Sequence, residues 1–306
     1  NDKEPTPILH HFMDTGDKRM MKFVYYYVGC AYNLVGRVQP AISCFHDGLD
    51  LLSGDETDDQ LRALYYYMLG FVYTYQYLDD EALEMKLKSL AIHKRLNNPQ
   101  RMQYGYIALS WTYKAMEKYD KALECLKSAR NLTDDKGARA EIDSQIADVY
   151  FNMGRLAEAR LYINKALGHT DNFSESSIHN IAATIYEASG DLEKARHYYS
   201  LNIANGTIYG RQCAYKFFAK YYKGKNNIEK AFQYGVLYAN VTDTIVQINA
   251  SEYSARANAE FDNKEVEDEN NRLRANEGRR DMVITLSVLV MVVVVGYYFV
   301  FRYRQK

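Results

Sequence analysis

The side chains that could carry chemistry are thinly spread along these 306 residues. Histidines stand at positions 10, 11, 46, 93, 169, 179 and 197, scattered rather than clustered. His10 and His11 are adjacent, so they cannot share a helix face, and they read as a surface pair in a short connection rather than as metal ligands. Cys30, Cys44, Cys125 and Cys213 have neither metal-ligand nor redox spacing and read as small buried hydrophobes. There is no HExxH, no GxSxG and no phosphate-cradling glycine loop after a strand. The chain is expected to be no enzyme, and to use no metal and no cofactor.

What remains is binding. Tyr26, Tyr67, Phe71, Tyr104 and Trp111 fall at inward positions of the first three of a series of repeated units. Lys216, Lys220 and Lys223, spaced four and three apart, share one helix face in the last unit. Both groups are expected to touch a partner. Two other readings stand beside that one: aromatics on such helices also pack between neighbouring units, and a lysine row also serves as a solvated face. A formal net charge of -1 leaves no broad basic face, so no direct nucleic-acid contact is expected within this chain.

The elements that must position these residues are announced by two phrases, VYYYVGCAYNLVG at 24–36 and LYYYMLGFVYTYQ at 64–76. A small residue is followed twelve positions later by alanine six times: Gly29 with Ala41, Gly70 with Ala82, Ser110 with Ala122, Ala147 with Ala159, Ala183 with Ala195, and Ala219 with Ala231. A tyrosine follows each first small residue by three, from Tyr32 and Tyr73 through Tyr113, Tyr150 and Tyr186 to Tyr222. Turn chemistry such as LVGRVQP, NMGRLAE and ASGDLEK separates the halves of each unit. Apolar residues recur three and four apart, as in Ile146, Val149, Tyr150 and Met153, and no stretch alternates for long. Each unit is therefore expected to be two helices and a tight turn, with the small residues letting two backbones approach closely.

This order of residues is similar to that of tetratricopeptide repeats, whose unit adds an aromatic residue on the second helix. Phe45 and Tyr199 supply that aromatic here, while Lys86 and Gly235 replace it, which leaves the second and sixth units the least regular. The resemblance implies an all-α solenoid of about six helical hairpins over residues 20–247, preceded by a short segment at 1–19. It also implies that the first helices line a concave side holding a protein or peptide. The basic and Asn residues with which chaperone-binding members clamp a terminal carboxylate are absent. Tyr26, Cys30, Met68, Tyr104 and Ala108 stand there instead, so chaperone-tail binding is not expected.

Beyond the repeats the composition changes twice. Residues 248–281 are charged and read as a linker helix, with an apolar seam at Ile245, Ile248, Ala255, Ala259, Val266 and Leu273 that Glu252, Asp262 and Glu269 interrupt. A homodimer through this helix is one expectation, and a solvated monomeric spacer is the other. Then come twenty uncharged residues, MVITLSVLVMVVVVGYYFVF, from Met282 to Phe301. That is the length a helix needs to cross a bilayer core, and a basic tail with Arg302, Arg304 and Lys306 follows it over 302–306. A single-pass membrane protein is expected.

HFMDTGDKRMMKFVYYYVGCAYNLVGRVQPAISCF resembles the opening repeat of membrane-bound tetratricopeptide regulators of Bacteroidetes-type bacteria. That resemblance implies a periplasmic repeat domain in the inner membrane, sensing a partner and signalling through the span to a cytoplasmic output module. The alternative is a tail-anchored adaptor, with the repeats in the cytosol and the span acting only as an anchor. Arg272, Arg274, Arg279 and Arg280 precede the span and three basic residues follow it, so charge alone does not orient it.

Overall fold

A computed structural model describes residues 17–52, 58–168 and 176–250. Among these residues every regular element is a helix, twelve in all. They are α1 (Lys18–Leu34), α2 (Val38–Leu51), α3 (Asp59–Tyr75), α4 (Asp79–Arg95), α5 (Pro99–Ala115), α6 (Tyr119–Arg130), α7 (Lys136–Asn152), α8 (Leu156–Leu167), α9 (Ser176–Ala188), α10 (Leu192–Asn205), α11 (Ile208–Gly224) and α12 (228–250). Consecutive pairs form six hairpins, each packed on the next.

The fourth hairpin shows how the sequence builds a unit. The Asp135 carboxylate accepts from the Ala138 backbone N–H at 2.7 Å, pairing one of the donors that a helix leaves open at its start. Ile142, Ile146, Val149 and Tyr150 then follow at helical spacing, and all four are buried. The helix stops at Gly154, whose φ of 74° is left-handed, and the Arg155 N–H turns back to the Tyr150 carbonyl at 2.9 Å. α8 starts at once and lays the fully buried Ala159 and Ile163 against α7.

This turn recurs six times. Residues of positive φ stand at Gly36, Tyr77, Glu117, Gly154, Gly190 and Asn226, each four beyond the repeat tyrosine. The next backbone N–H always donates to that tyrosine's carbonyl, at 2.8 to 3.0 Å. The repeat tyrosine thus marks where the first helix closes. Its ring also carries a cation from the turn or second helix: Arg37 over Tyr32, Arg155 over Tyr150 and Lys230 over Tyr222 lie 5.2, 4.8 and 5.1 Å from the ring centroids.

The small residues sit where backbones meet. Ala41, Ala82, Ala122, Ala159 and Ala195 have no solvent exposure. A Cβ on Gly70 would lie 2.7 Å from Lys86 Cγ and 3.2 Å from the Ala82 carbonyl oxygen. The slot opposite the small residue is filled in turn by Phe45, Lys86, Leu126, Ile163 and Tyr199, all buried. In the sixth unit the slot residue is Gly235, and its neighbour Tyr234 takes over, stacking on Phe218 and Tyr222 at 4.9 and 5.6 Å.

Lys86 therefore does not weaken the second unit; it is the slot residue there. Its stem packs beside Gly70, and its Nζ donates to Thr74 Oγ1 at 2.8 Å, Thr112 Oγ1 at 2.7 Å and the Ala108 carbonyl at 3.4 Å. Three donors find three acceptors, which is how a buried ammonium is tolerated. Burial still pulls its pKa down to about 8, partly opposed by the charge of Asp79. Buried apolar residues continue through this level as Ala82, Leu90, Ile92, Ala108 and Leu109. One cluster spans α1 to α3 around Phe45, Tyr65 and Leu69, and a second runs from α6 to α11 around Leu126, Ile146 and Ile163.

Polar contacts tie the layers. Asp143 of α7, fully buried, accepts from Arg130 Nε at 2.6 Å and Nη2 at 3.2 Å, and Asp59 bonds both Arg62 and Arg95. Of the proposed dimer seam only Ile245 and Ile248 are described; Ile245 is buried in the solenoid while Ile248 is 39% exposed. Among the described residues no helix is long and apolar enough to cross a membrane. The expected span at 282–301 and most of the charged linker lie outside the described residues.

Candidate functional site

The first helices of adjacent units touch along one face, through rings between α1 and α3 and through polar side chains further on. Trp111 Nε1 on α5 donates to Gln145 Oε1 on α7 at 3.0 Å. One turn further on, Lys114 Nζ reaches Asp148 Oδ2 at 2.6 Å. Lys220 Nζ on α11 lies 3.7 Å from Glu187 Oε1 on α9. These links define the first-helix face and hold the Trp111 ring edge while half of the side chain stays in solvent.

Repeat register places the expected residues on this face. Counting from the close-approach residue, the place of Phe71 in the second unit is held by Trp111, Asp148, Thr184 and Lys220 in the next four. Tyr67 is 37% exposed, and Trp111 and Tyr104 are each 50% exposed. Phe71 is half-buried and tilts against Tyr75 with ring centroids 4.7 Å apart. Large apolar rings left in water on a packed helix are the feature that marks contact surfaces.

Tyr26 and Tyr104 differ from the other three. Tyr26 is half-buried, edge-on to Tyr65 at 5.5 Å and tilted against Phe45 at 6.4 Å, so its ring packs on the first core cluster. Burial, and then the nearby Cys30, raise its hydroxyl to about 12. Tyr104 is exposed but stands one turn before the Tyr67 and Phe71 places, in the register of Leu64. Lys216, Lys220 and Lys223 are all exposed, and Lys216 and Lys220 occupy the register of Tyr67 and Phe71.

Sequence reasoning missed Tyr75, 53% exposed beside Phe71, and the polar rungs Gln145 and Asp148. Their signal was available. Gln145 and Asp148 each lie 34 residues beyond their partners, one repeat on, but no pairing rule in a single sequence singles them out. Among the described residues no group of three or more His, Cys, Asp or Glu side chains could hold a metal ion. Two open depressions among the described residues are lined by none of Tyr67, Phe71 and Trp111. One, of about 500 Å³, is lined by Leu156, Arg160 and Asn164, and the other, of about 360 Å³, by Phe23, Asp58 and Leu96.

Comparison with known proteins agrees with this architecture. Models described as tetratricopeptide repeat match residues 62–100, 104–132 and 144–168. Among solved structures, Pseudomonas aeruginosa PilF is 19% identical with a TM-score of 0.56, over 73% of this chain and 93% of that one. The apo form of RapI is 12% identical with a TM-score of 0.57, over 79% and 80%. A signal transduction ATPase with numerous domains, carrying a tetratricopeptide repeat sensor, from Pyrococcus horikoshii is 17% identical with a TM-score of 0.64. That match covers 76% of this chain and 38% of the Pyrococcus chain. No curated protein matches the sequence. At such identities the likeness is one of fold. Residues 62–100, 104–132 and 144–168 thus carry tetratricopeptide repeats, and the described part of the chain has the fold of a solenoid of such helical hairpins.

Proposed function

We propose that this chain is a membrane-anchored sensor without catalysis of its own, whose first-helix face captures a segment of a protein partner. The observation that carries the reading is the row Tyr67, Phe71 and Trp111, in register on adjacent units and left partly in water. Rings that rigid helices hold ready lose little freedom on contact, so they make good anchors. The order of parts supports the rest: charged residues 248–281 lead to the apolar segment 282–301, so binding outside the cytoplasm can be passed to a cytoplasmic module. The Pyrococcus protein uses an array of this fold as a sensor.

The test uses the full chain in membranes. Trp111→Ala and Tyr67→Ala are expected to lose the partners crosslinked by the wild type at unchanged helicity; retention of the same partners by both variants removes the row from the site. For topology, the four native cysteines are replaced by serine and Val266→Cys is exposed to a membrane-impermeant maleimide. Labelling in intact cells is expected. Labelling only after lysis places the repeats in the cytosol and leaves the adaptor reading.

A further inference from the structure

The first-helix face changes character along the solenoid. Through the second and third units its central places hold Tyr67, Phe71, Ile107 and Trp111. The central place of the fourth unit holds Asp148, which pairs with Lys114 of the third unit at 2.6 Å. In the sixth, the same places hold Lys216 and Lys220, with Lys223 one turn on. Helix α11 carries Arg211 and these three lysines and no acidic residue at all. Lys216 and Lys223 pair with no carboxylate among the described residues. Lys220 meets only Glu187, at 3.7 Å and with 81% of its side chain exposed, and Glu187 is shared with the Tyr199 hydroxyl at 2.9 Å. Of the neighbouring helices, α9 offers Glu187 as its single acid, α10 offers Glu193, which accepts from the Tyr221 hydroxyl at 2.9 Å and pairs with Arg196, and Glu229 and Asp243 of α12 are both solvent-exposed.

Taking the peptide-capture reading as its basis, we propose that this face has a polarity and binds an extended peptide carrying two features at a fixed distance. Apolar side chains of the peptide sit against Tyr67, Phe71 and Trp111, and a cluster of Asp and Glu sits against Lys216, Lys220 and Lys223. The spacing follows from the fold. Packed helices lie ~10 Å apart, so the three steps from α5 to α11 span ~30 Å. An extended chain advances ~3.3 Å per residue, which puts the acidic cluster about nine residues from the last apolar anchor. Exposed lysines contribute little as isolated pairs, but three aligned on one helix face set the choice and orientation of the partner. Anionic lipid headgroups would satisfy the same lysines. Register argues for the peptide, because the row continues the line of exposed rings on the face between units.

Selection of a random 16-residue peptide library on the full chain, held in neutral detergent, tests this directly. Wild type is expected to enrich peptides with aromatic or aliphatic residues and, about nine positions away, an excess of Asp and Glu. The variant Lys216→Glu/Lys220→Glu/Lys223→Glu is expected to lose the acidic excess and keep the apolar one. It should bind a selected peptide about tenfold more weakly at low salt, a difference that shrinks as salt is raised. Unchanged acidic enrichment on the triple variant overturns the proposal. If that variant also sediments less with phosphatidylglycerol vesicles, the row belongs to lipid. Apolar enrichment that vanishes with Trp111→Ala, without any acidic excess on the wild type, overturns the two-feature ligand and leaves peptide capture standing. Enrichment of nothing overturns both.

Discussion

Gly29 lies so close to Phe45 across the first hairpin that a Cβ on the glycine would fall 2.5 Å from the ring carbon Cε1. Gly235 holds the second-helix slot of the sixth unit, and around it a Cβ would meet nothing within 4 Å. The same substitution should therefore have opposite signs. Gly29→Ala is expected to lower stability by ~1–2 kcal/mol, overpacking outweighing the gain in helix propensity. Gly235→Ala is expected to raise it by ~0.5–1 kcal/mol. Denaturant midpoints of the two variants decide the matter, and equal effects would remove close approach as the reason for the glycine.

The left-handed turn position supplies a second pair. Glu117, at φ 57°, and Gly154, at φ 74°, hold the same place in successive units. A side chain there costs ~1–2 kcal/mol. Glu117→Gly should recover about 1 kcal/mol, and Gly154→Ala should lose a similar amount. Thermal midpoints moving in opposite directions are the expected result.

Lys86 makes stability depend on pH in an unusual direction. Its pKa is lowered to about 8 from an ordinary value of 10.5 by burial. Between these values the unfolded chain binds more protons at this site than the folded one. Stability then rises with pH from about 8 to about 10.5, and below 8 the site contributes no slope. Lys86→Met removes the titration while keeping the stem. The stability of wild type relative to this variant is expected to climb across that window in urea titrations. A flat difference would mean that the ammonium is not desolvated.

The hairpin register was legible because close approach restricts a position to Gly, Ala or Ser, and such restriction survives in a single sequence. Ala82, Ala122 and Ala159 were identified from spacing alone and have no solvent exposure. Lys86 was misjudged because hydrophobicity scales treat lysine as polar throughout, whereas its four-carbon stem fills an apolar slot once Thr74 and Thr112 receive the amine. Tyr77 and Glu117 gave no sign of their left-handed backbone, since the signal expected there is Gly or Asn. On the candidate face, spacing put Tyr67, Phe71 and Trp111 on first helices, where Tyr67 and Trp111 are 37% and 50% exposed. It could not separate Tyr26, whose ring is claimed by Tyr65 and Phe45, because that competition is a contact between helices distant in sequence.

Lys86 carries a consequence for cooperativity. A stack of repeats holds together only through nearest neighbours, so each interface between hairpins decides whether the units on its two sides open together. At the interface of the second and third units Lys86 crosses to Thr112 and the Ala108 carbonyl, beside the buried Leu90 and Leu109. The exposed rings stand on both sides of it, Tyr67 and Phe71 on α3 and Trp111 on α5. A segment lying across all three would act as a splint, tying the second unit to the third. Capture and rigidification would then be a single event.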